Sequence, residues 1–221
     1  GEVVEDIRRH GARKLIFVDL NLIADPVYAR QLFEALIPLR VNWYGLSTTL
    51  LAEDSELLAL AARSGCRGIL MGLESISPAS LRDSSKGFNH PHRYREIVGR
   101  LHDHGIALQG CFVFGGDHDT PEVFEKTARF AVESKIDLPR FAVLTPFPGT
   151  RLFQRLESEG RILTRDWEQY DAQHVVFQPA QMTPKDLQEG TERAWRCAYG
   201  YGSILKRIWG TPSVSAVGTG A

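Results

Sequence analysis

The sequence predicts an α/β protein, a partial TIM-type (β/α) barrel with a parallel sheet and a C-terminal helical cap. Three observations carry this. Short apolar runs alternate with longer stretches of helical period, which is what successive β/α units leave along a chain. Polar residues recur at the carboxyl end of each apolar run. The 221 residues hold five such runs, whereas a closed eight-stranded barrel takes about 250 residues.

The chain opens in an amphipathic helical pattern at Val3, Val4 and Ile7. Strands are predicted at residues 14–19, 42–48, 68–74, 107–114 and 140–145, each bounded by Gly or polar residues. Ser77-Pro78 and Thr120-Pro121 have the form of a capping hydroxyl followed by proline at the first helical position. A helix is predicted over 91–104, because Tyr94, Ile97, Val98 and Leu101 share one face and Gly105 follows as a stop. Residues 166–179 read as irregular and aromatic. The helix predicted over 184–199 aligns Leu187, Thr191, Ala194, Trp195 and Ala198. The expected division is a barrel over 1–160, a cap or extension over 161–210, and a disordered tail over 211–221, whose small polar residues have nothing to bury.

Composition narrows the function. With 43% hydrophobic residues the chain can bury one core and is expected to form a single domain. Lys+Arg 26 against Asp+Glu 27 leaves a formal charge of -1 with no basic run, so the footprint of a nucleic-acid binder is missing and a small-molecule partner is expected. Cys66, Cys111 and Cys197 are odd in number and widely spaced, which suits a reducing compartment better than a disulfide framework. No apolar run reaches the roughly 18 residues of a transmembrane segment, and the N-terminus lacks the pattern of a signal peptide. A cytoplasmic location is the expectation.

In a parallel β/α sheet reactive groups gather at the carboxyl ends of the strands. That rule selects Asp19 and Asn21, Ser47 and Thr48, Glu74 and Ser75, then Cys111, Gly115, Gly116, Asp117 and His118, and finally Thr145, Pro146, Phe147, Pro148, Gly149 and Thr150.

The ordered set of motifs at these ends resembles the radical S-adenosylmethionine enzymes. It consists of Phe17-Val18-Asp19, the run Met71-Gly72-Leu73-Glu74-Ser75-Ile76-Ser77 with Leu81 and Lys86 downstream, Gly110-Cys111-Phe112-Val113-Phe114-Gly115, and Leu144-Thr145-Pro146-Phe147-Pro148-Gly149-Thr150. The closing segment from Tyr170 to Phe177, followed by Met182, is similar to members that carry an N-terminal cobalamin-binding domain, including hopanoid-lipid methylases. The resemblance implies three cofactors, S-adenosylmethionine, a [4Fe-4S] cluster and cobalamin. It implies a parent enzyme that modifies, by methylation, an unactivated carbon of an apolar or lipid-like substrate through a 5'-deoxyadenosyl radical. An upstream cobalamin-binding domain and a reductase or flavodoxin-type electron donor are the implied protein partners. Three alternatives stay open: a radical cyclase or oxidase without methyl transfer, a β/α-barrel lyase using Lys86 as a Schiff-base amine, and a non-catalytic barrel fragment.

No CxxxCxxC occurs in the chain, and thiolates are what hold an iron–sulfur cluster. By the resemblance, the first barrel strand and the cluster loop are expected upstream of Gly1. This chain alone is then expected to be inactive, with no metal ligand of its own.

Residue by residue, the resemblance assigns cofactor contacts to Asp19, Ser47, Glu74, Ser75, Lys86, Cys111, Gly115, Thr145 and Pro148. It places Asn21, His118, Phe147, Tyr170 and His174 in a substrate or cobalamin pocket. Glu74 stands as a polar cofactor contact or as a capping carboxylate for the turn at Ser77-Pro78. Lys86 stands as the cation for the methionine carboxylate or as a solvated lysine. Cys111 occupies a position where many relatives carry an acidic or amide group, and Ser47 one where some carry glutamate; a small buried residue and a local backbone partner are their plainer readings. Asp117-His118-Asp119 invites a metal site, but a turn leading to Thr120 explains the same residues.

Overall fold

The computed structural model describes residues 1–83, 87 and 89–209. Lys86 and the tail 211–221 lie outside the described residues. Five strands, β1 (Lys14–Ile16), β2 (Asn42–Ser47), β3 (Cys66–Glu74), β4 (Ala107–Phe114) and β5 (Arg140–Val143), form one sheet in the order β1-β2-β3-β4-β5. Every neighbouring pair is parallel, so all five carboxyl ends lie on one edge. The sheet curls into a half-barrel with helices on its convex side.

The helices are α1 (Glu2–His10), α2 (Pro26–Leu36), α3 (Ser55–Arg63), α4 (Pro78–Asp83), α5 (Tyr94–Asp103), α6 (Val123–Glu133), α7 (Arg151–Ser158), α8 (Pro184–Tyr199) and α9 (Tyr201–Ile208). Side-chain caps set four of their starts. Asp25 accepts from the amides of Val27 and Tyr28, Asp54 from Leu57, and Thr150 from Phe153. Thr183 and Asp186 form a reciprocal capping box with Pro184 at the first position of α8.

Four predicted boundaries are corrected. β1 stops at Ile16 and β5 at Val143, because the residues beyond them leave the ladder to form the tip loops. The Thr120-Pro121 pair does not start a helix: Thr120 turns its hydroxyl onto the Glu122 carboxylate and α6 begins at Val123. A 3-10 turn, Pro91–Arg93, precedes α5 where one continuous helix is predicted.

The core lies between the sheet's convex face and the helices. Trp43 of β2 stacks on Phe33 of α2 at 5.1 Å and donates its indole N–H to Ser64 at 2.9 Å. Phe114 of β4 meets Phe124 of α6 edge-on at 4.9 Å. Strand alternation then turns the intervening residues, among them Tyr44, Leu46, Leu70, Gly72, Gln109, Cys111, Arg140 and Ala142, toward the concave side.

Beyond β5 the chain folds back. An isolated antiparallel bridge joins Ile162 to Phe177, and α8 packs on α6 and β5. The exposed edge of β5 is occupied by two side chains and a turn: Trp195 donates to the Phe141 carbonyl at 3.1 Å, Tyr199 to the Pro139 carbonyl at 2.9 Å, and the Val143 amide donates to the Ala172 carbonyl at 2.8 Å. Arg207 of α9, buried, donates to the Ala198 carbonyl and lies over the Tyr199 ring.

The α6–α8 contact depends on Gly190, where a Cβ would fall 2.2 Å from Cε2 of the buried Phe124. Gly190→Val is expected to lower stability by about 2 kcal/mol through overpacking, read as a drop in the urea midpoint at unchanged slope.

Candidate functional site

The site is built on one row of the concave face. Gly72 of β3 lies opposite Cys111 of β4, and Cys111 lies opposite Arg140 of β5. The register shifts between Gly72 and Glu74. A Cβ on Gly72 would meet Oε1 of Glu74 at 2.4 Å, so the carboxylate folds back over bare strand backbone that only glycine leaves open.

Glu74 itself is strained. Its φ is 64°, and the Ser75 amide donates to the Leu73 carbonyl at 2.8 Å across it. A three-residue turn with a left-handed, non-glycine centre is rare and costs about 1–3 kcal/mol. Buried side chains hold it in place. Tyr94 of α5 donates its hydroxyl to the Leu73 carbonyl at 2.6 Å, and Asn89 donates to the Gly72 carbonyl at 2.9 Å while accepting from Thr49 at 3.2 Å. The Tyr94 phenol is pushed well above its ordinary value, first by burial and then by the Glu74 charge. Burial likewise pushes the Cys111 thiol up to about 11, with Arg140 opposing and Glu74 adding to the effect. Cys111 is therefore a neutral thiol beside the carboxylate.

At the tip of β4, Asp119 gathers three donors. The Gly115 and Gly116 amides reach Oδ2 at 3.0 Å each, and Ser80 reaches Oδ1 at 3.0 Å. Burial raises its pKa, and these bonds oppose the rise. Asp117 points elsewhere, to Arg155 and, at 2.8 Å, to Arg161. The contiguous acid-His-acid run thus diverges, and no group of three His, Cys, Asp or Glu among the described residues could hold a metal ion.

The other sequence-selected residues divide. Thr48 has the concave parity of β2, and its buried hydroxyl has no partner among the described residues. Ser47, buried, has the parity of Trp43 and faces the helices, donating weakly to the Thr48 carbonyl at 3.3 Å. Ser75 caps the Ser77 amide at 3.0 Å. Asp19 is exposed beyond β1, and Asn21 closes a local turn onto the Ile23 amide at 3.3 Å. A Cβ on Gly115 would meet Leu187 and Phe177 at 2.9 and 3.2 Å, so the C-terminal extension packs on this glycine. Thr145 donates to the Val143 carbonyl at 3.1 Å, and Phe147 and Pro148 lie exposed in the loop before α7. Tyr170 is buried with Phe153 and Val176 and donates to the Thr164 carbonyl at 2.7 Å, a packing position. His174 is exposed and pairs with Asp171 at 2.9 Å. His118 sits beside Asp119 and opposes the burial-driven rise of its pKa. Sequence reasoning missed Asn89, Thr49 and the functional side of Tyr94, whose helical spacing marked it only as core.

The fold is that of the radical S-adenosylmethionine enzymes. Two solved structures make the match: TsrM from Kitasatospora setae, a radical S-adenosylmethionine methyltransferase with cobalamin and a [4Fe-4S] cluster bound, at TM-score 0.65 and 18% identity over 86% of this chain and 37% of that one, and coproporphyrinogen III oxidase from Escherichia coli, at TM-score 0.54 and 14% identity over 90% and 44%. No family model matches the chain. Among curated proteins, it is 35% identical over 95% of its length to bacteriochlorophyllide d C-12(1)-methyltransferase of Chlorobaculum tepidum, and 30% identical over 72% to the C-8(2)-methyltransferase of the same organism. It spans 47% and 36% of their lengths. The anaerobic magnesium-protoporphyrin IX monomethyl ester cyclase of Cereibacter sphaeroides is 25% identical over 94% of this chain, which spans 34% of the cyclase's length. The chain belongs to the radical S-adenosylmethionine superfamily, with tetrapyrrole methyltransferases and cyclases among its homologues.

The residues present fit one of the family's cofactors and not another. A carboxylate held over Gly72, a neutral thiol and an orphaned hydroxyl suit a cationic, hydroxyl-bearing ligand such as S-adenosylmethionine. The cysteines do not suit a cluster. Cys66 is buried at the start of β3 with its thiol pushed far up by burial, Cys111 is half-buried in β4, and Cys197 is exposed on α8.

Two outcomes follow. Glu74→Gly is expected to stabilise the fold by about 1 kcal/mol, since glycine accepts the left-handed turn without strain; equilibrium unfolding reads it. Asp117 has its pKa raised by burial but lowered more by Arg155 and Arg161, for a net decrease. Its stabilisation is therefore complete above the ordinary carboxylate pKa, near 4, and is lost as pH falls through the lower folded value. Asp117→Asn is expected to flatten the fall of Tm between about pH 5 and pH 2.

Proposed function

We propose that this chain is the S-adenosylmethionine- and substrate-holding portion of a radical enzyme that methylates an unactivated carbon of a conjugated, largely apolar substrate of the tetrapyrrole kind, with cobalamin in the complete protein. Residues 1–160 would form the barrel portion and 161–210 the wall beyond β5. The observation that carries the proposal is the strained Glu74 turn: buried donors hold a carboxylate over Gly72 at the carboxyl edge of the sheet, a cost that a purely structural turn does not require.

In this reading Glu74 accepts from the ammonium of the methionine moiety and Thr48 satisfies a ligand hydroxyl. Cys111 fills the floor as a neutral thiol, and Tyr94 and Asn89 act as positioning residues by fixing the Leu73–Ser75 backbone. Lys86 is proposed as the partner of the methionine carboxylate. When bound, S-adenosylmethionine supplies a methyl group or, on one-electron reduction at the cluster, a 5'-deoxyadenosyl radical. The ligands for that cluster are proposed to come from outside this chain, as are the cobalamin domain and the electron donor. A second reading, cyclisation without methyl transfer, is favoured by the similarity to the monomethyl ester cyclase along 94% of the chain.

The test uses the full-length protein, reconstituted anaerobically and reduced with dithionite. Formation of 5'-deoxyadenosine is expected, and Glu74→Gln and Gly72→Ala are each expected to weaken S-adenosylmethionine binding by about 10- to 100-fold, the size of a lost charge-assisted hydrogen bond. Iron-free protein that makes no deoxyadenosine would end the proposal. A product heavier by one methylene separates methyl transfer from cyclisation.

A further inference from the structure

A cavity of about 350 Å³ lies between strands β4 and β5 and helix α8, lined among others by Gln109, Arg140, Ala142, Gln173, Trp195 and Tyr199. Its size falls at the lower end of small-molecule pockets, about 300–1,000 Å³. It adjoins the candidate site, because Arg140 is the register partner of Cys111 and Cys111 that of Gly72.

The walls differ in kind. Trp195 and Tyr199 stack at 5.3 Å with 30° between their planes, and they are fixed by hydrogen bonds to the carbonyls of Phe141 in β5 and of Pro139 just before it. They offer a rigid flat surface. Across from them are the Arg140 guanidinium and the Gln109 amide on strands β5 and β4, and the Gln173 amide in a turn. The Arg140 side chain forms no ion pair or hydrogen bond among the described residues, and its charge acts on Cys111. Asp137, three residues earlier, turns its Oδ2 to His102 and the Leu108 amide, at 2.8 Å each. A planar fork of donors with no internal acceptor, set beside fixed aromatic rings, suits a carboxylate attached to a conjugated ring.

We propose that this cavity receives the carboxylate-bearing edge of a planar conjugated substrate, with Arg140 as the anion anchor and Trp195 as the stacking wall. The inference rests on the function proposed above and adds the orientation of the substrate. A ring larger than the cavity enters by its acidic periphery, which leaves the opposite edge toward Glu74.

The experiment titrates the full-length reconstituted protein with deuteroporphyrin IX and with its dimethyl ester in the same detergent, followed by tryptophan quenching. The diacid is expected to bind the wild type at least about 10-fold more tightly than the diester. Arg140→Met is expected to weaken the diacid by about 10- to 100-fold and leave the diester unchanged, while Arg140→Lys restores part of the preference. Equal affinity of the wild type for acid and ester, a preference that survives in Arg140→Met, or no porphyrin binding at all would overturn the inference. The acid–ester comparison needs no variant, so it holds even if a substitution misfolds. Deoxyadenosine formation by the wild type, measured in parallel, separates two failures. Formed without a carboxylate preference, it removes the anchor alone; not formed, it removes the cofactor reading and the substrate assignment built on it.

Discussion

The carbonyl of Leu73 is the point on which the site turns. It receives the Ser75 amide, the Tyr94 hydroxyl and, at 3.3 Å, the Asn89 amide. A buried carbonyl left without donors would cost about 1–3 kcal/mol, so these bonds secure a backbone geometry that Glu74 would not adopt by itself. Asn89 in turn is held by Thr49, and Tyr94 belongs to α5, which links the strand tip to the helical layer. Position at the site is thus set by groups that themselves need not touch a ligand, as preorganised sites require.

The same logic runs through the β4 tip. Asp119 draws the Gly115 and Gly116 amides together and ties them to Ser80 of α4, so the third and fourth strand ends share one network. Asp117, two residues earlier, anchors instead to Arg155 of α7 and to Arg161 beyond it. One loop therefore fastens both α4 and the chain that follows β5.

Much of this was legible in the residues. Strand alternation and proline-marked turns located all five strands within a few residues, because period-2 burial leaves a direct trace in sequence. Glu74 was readable from its place at a strand end. The strain was not, since nothing in Met-Gly-Leu-Glu-Ser specifies a positive φ. Asn89 and Thr49 escaped because their roles arise from contact across 40 positions, which no local pattern encodes. Tyr170 and Gly115 were selected by motif, yet packing explains both. Ser47 was lost to parity: one residue's shift along β2 decides whether a side chain meets a ligand or a helix. Arg140 sat at the start of a strand, where the strand-end rule does not look, and only the stagger between β4 and β5 brings it level with Cys111.

Closure of the β5 edge by Trp195, Tyr199 and Ala172 has a consequence for how molecules of this protein meet one another. An unoccupied strand edge is a template on which a neighbouring chain can lay down another strand. Here the Pro139 and Phe141 carbonyls and the Val143 amide are already engaged by the molecule's own side chains and loop. Edge-to-edge assembly from that flank would first have to peel away a helix, so the fold guards against fibrous self-association there with two aromatic residues and one turn.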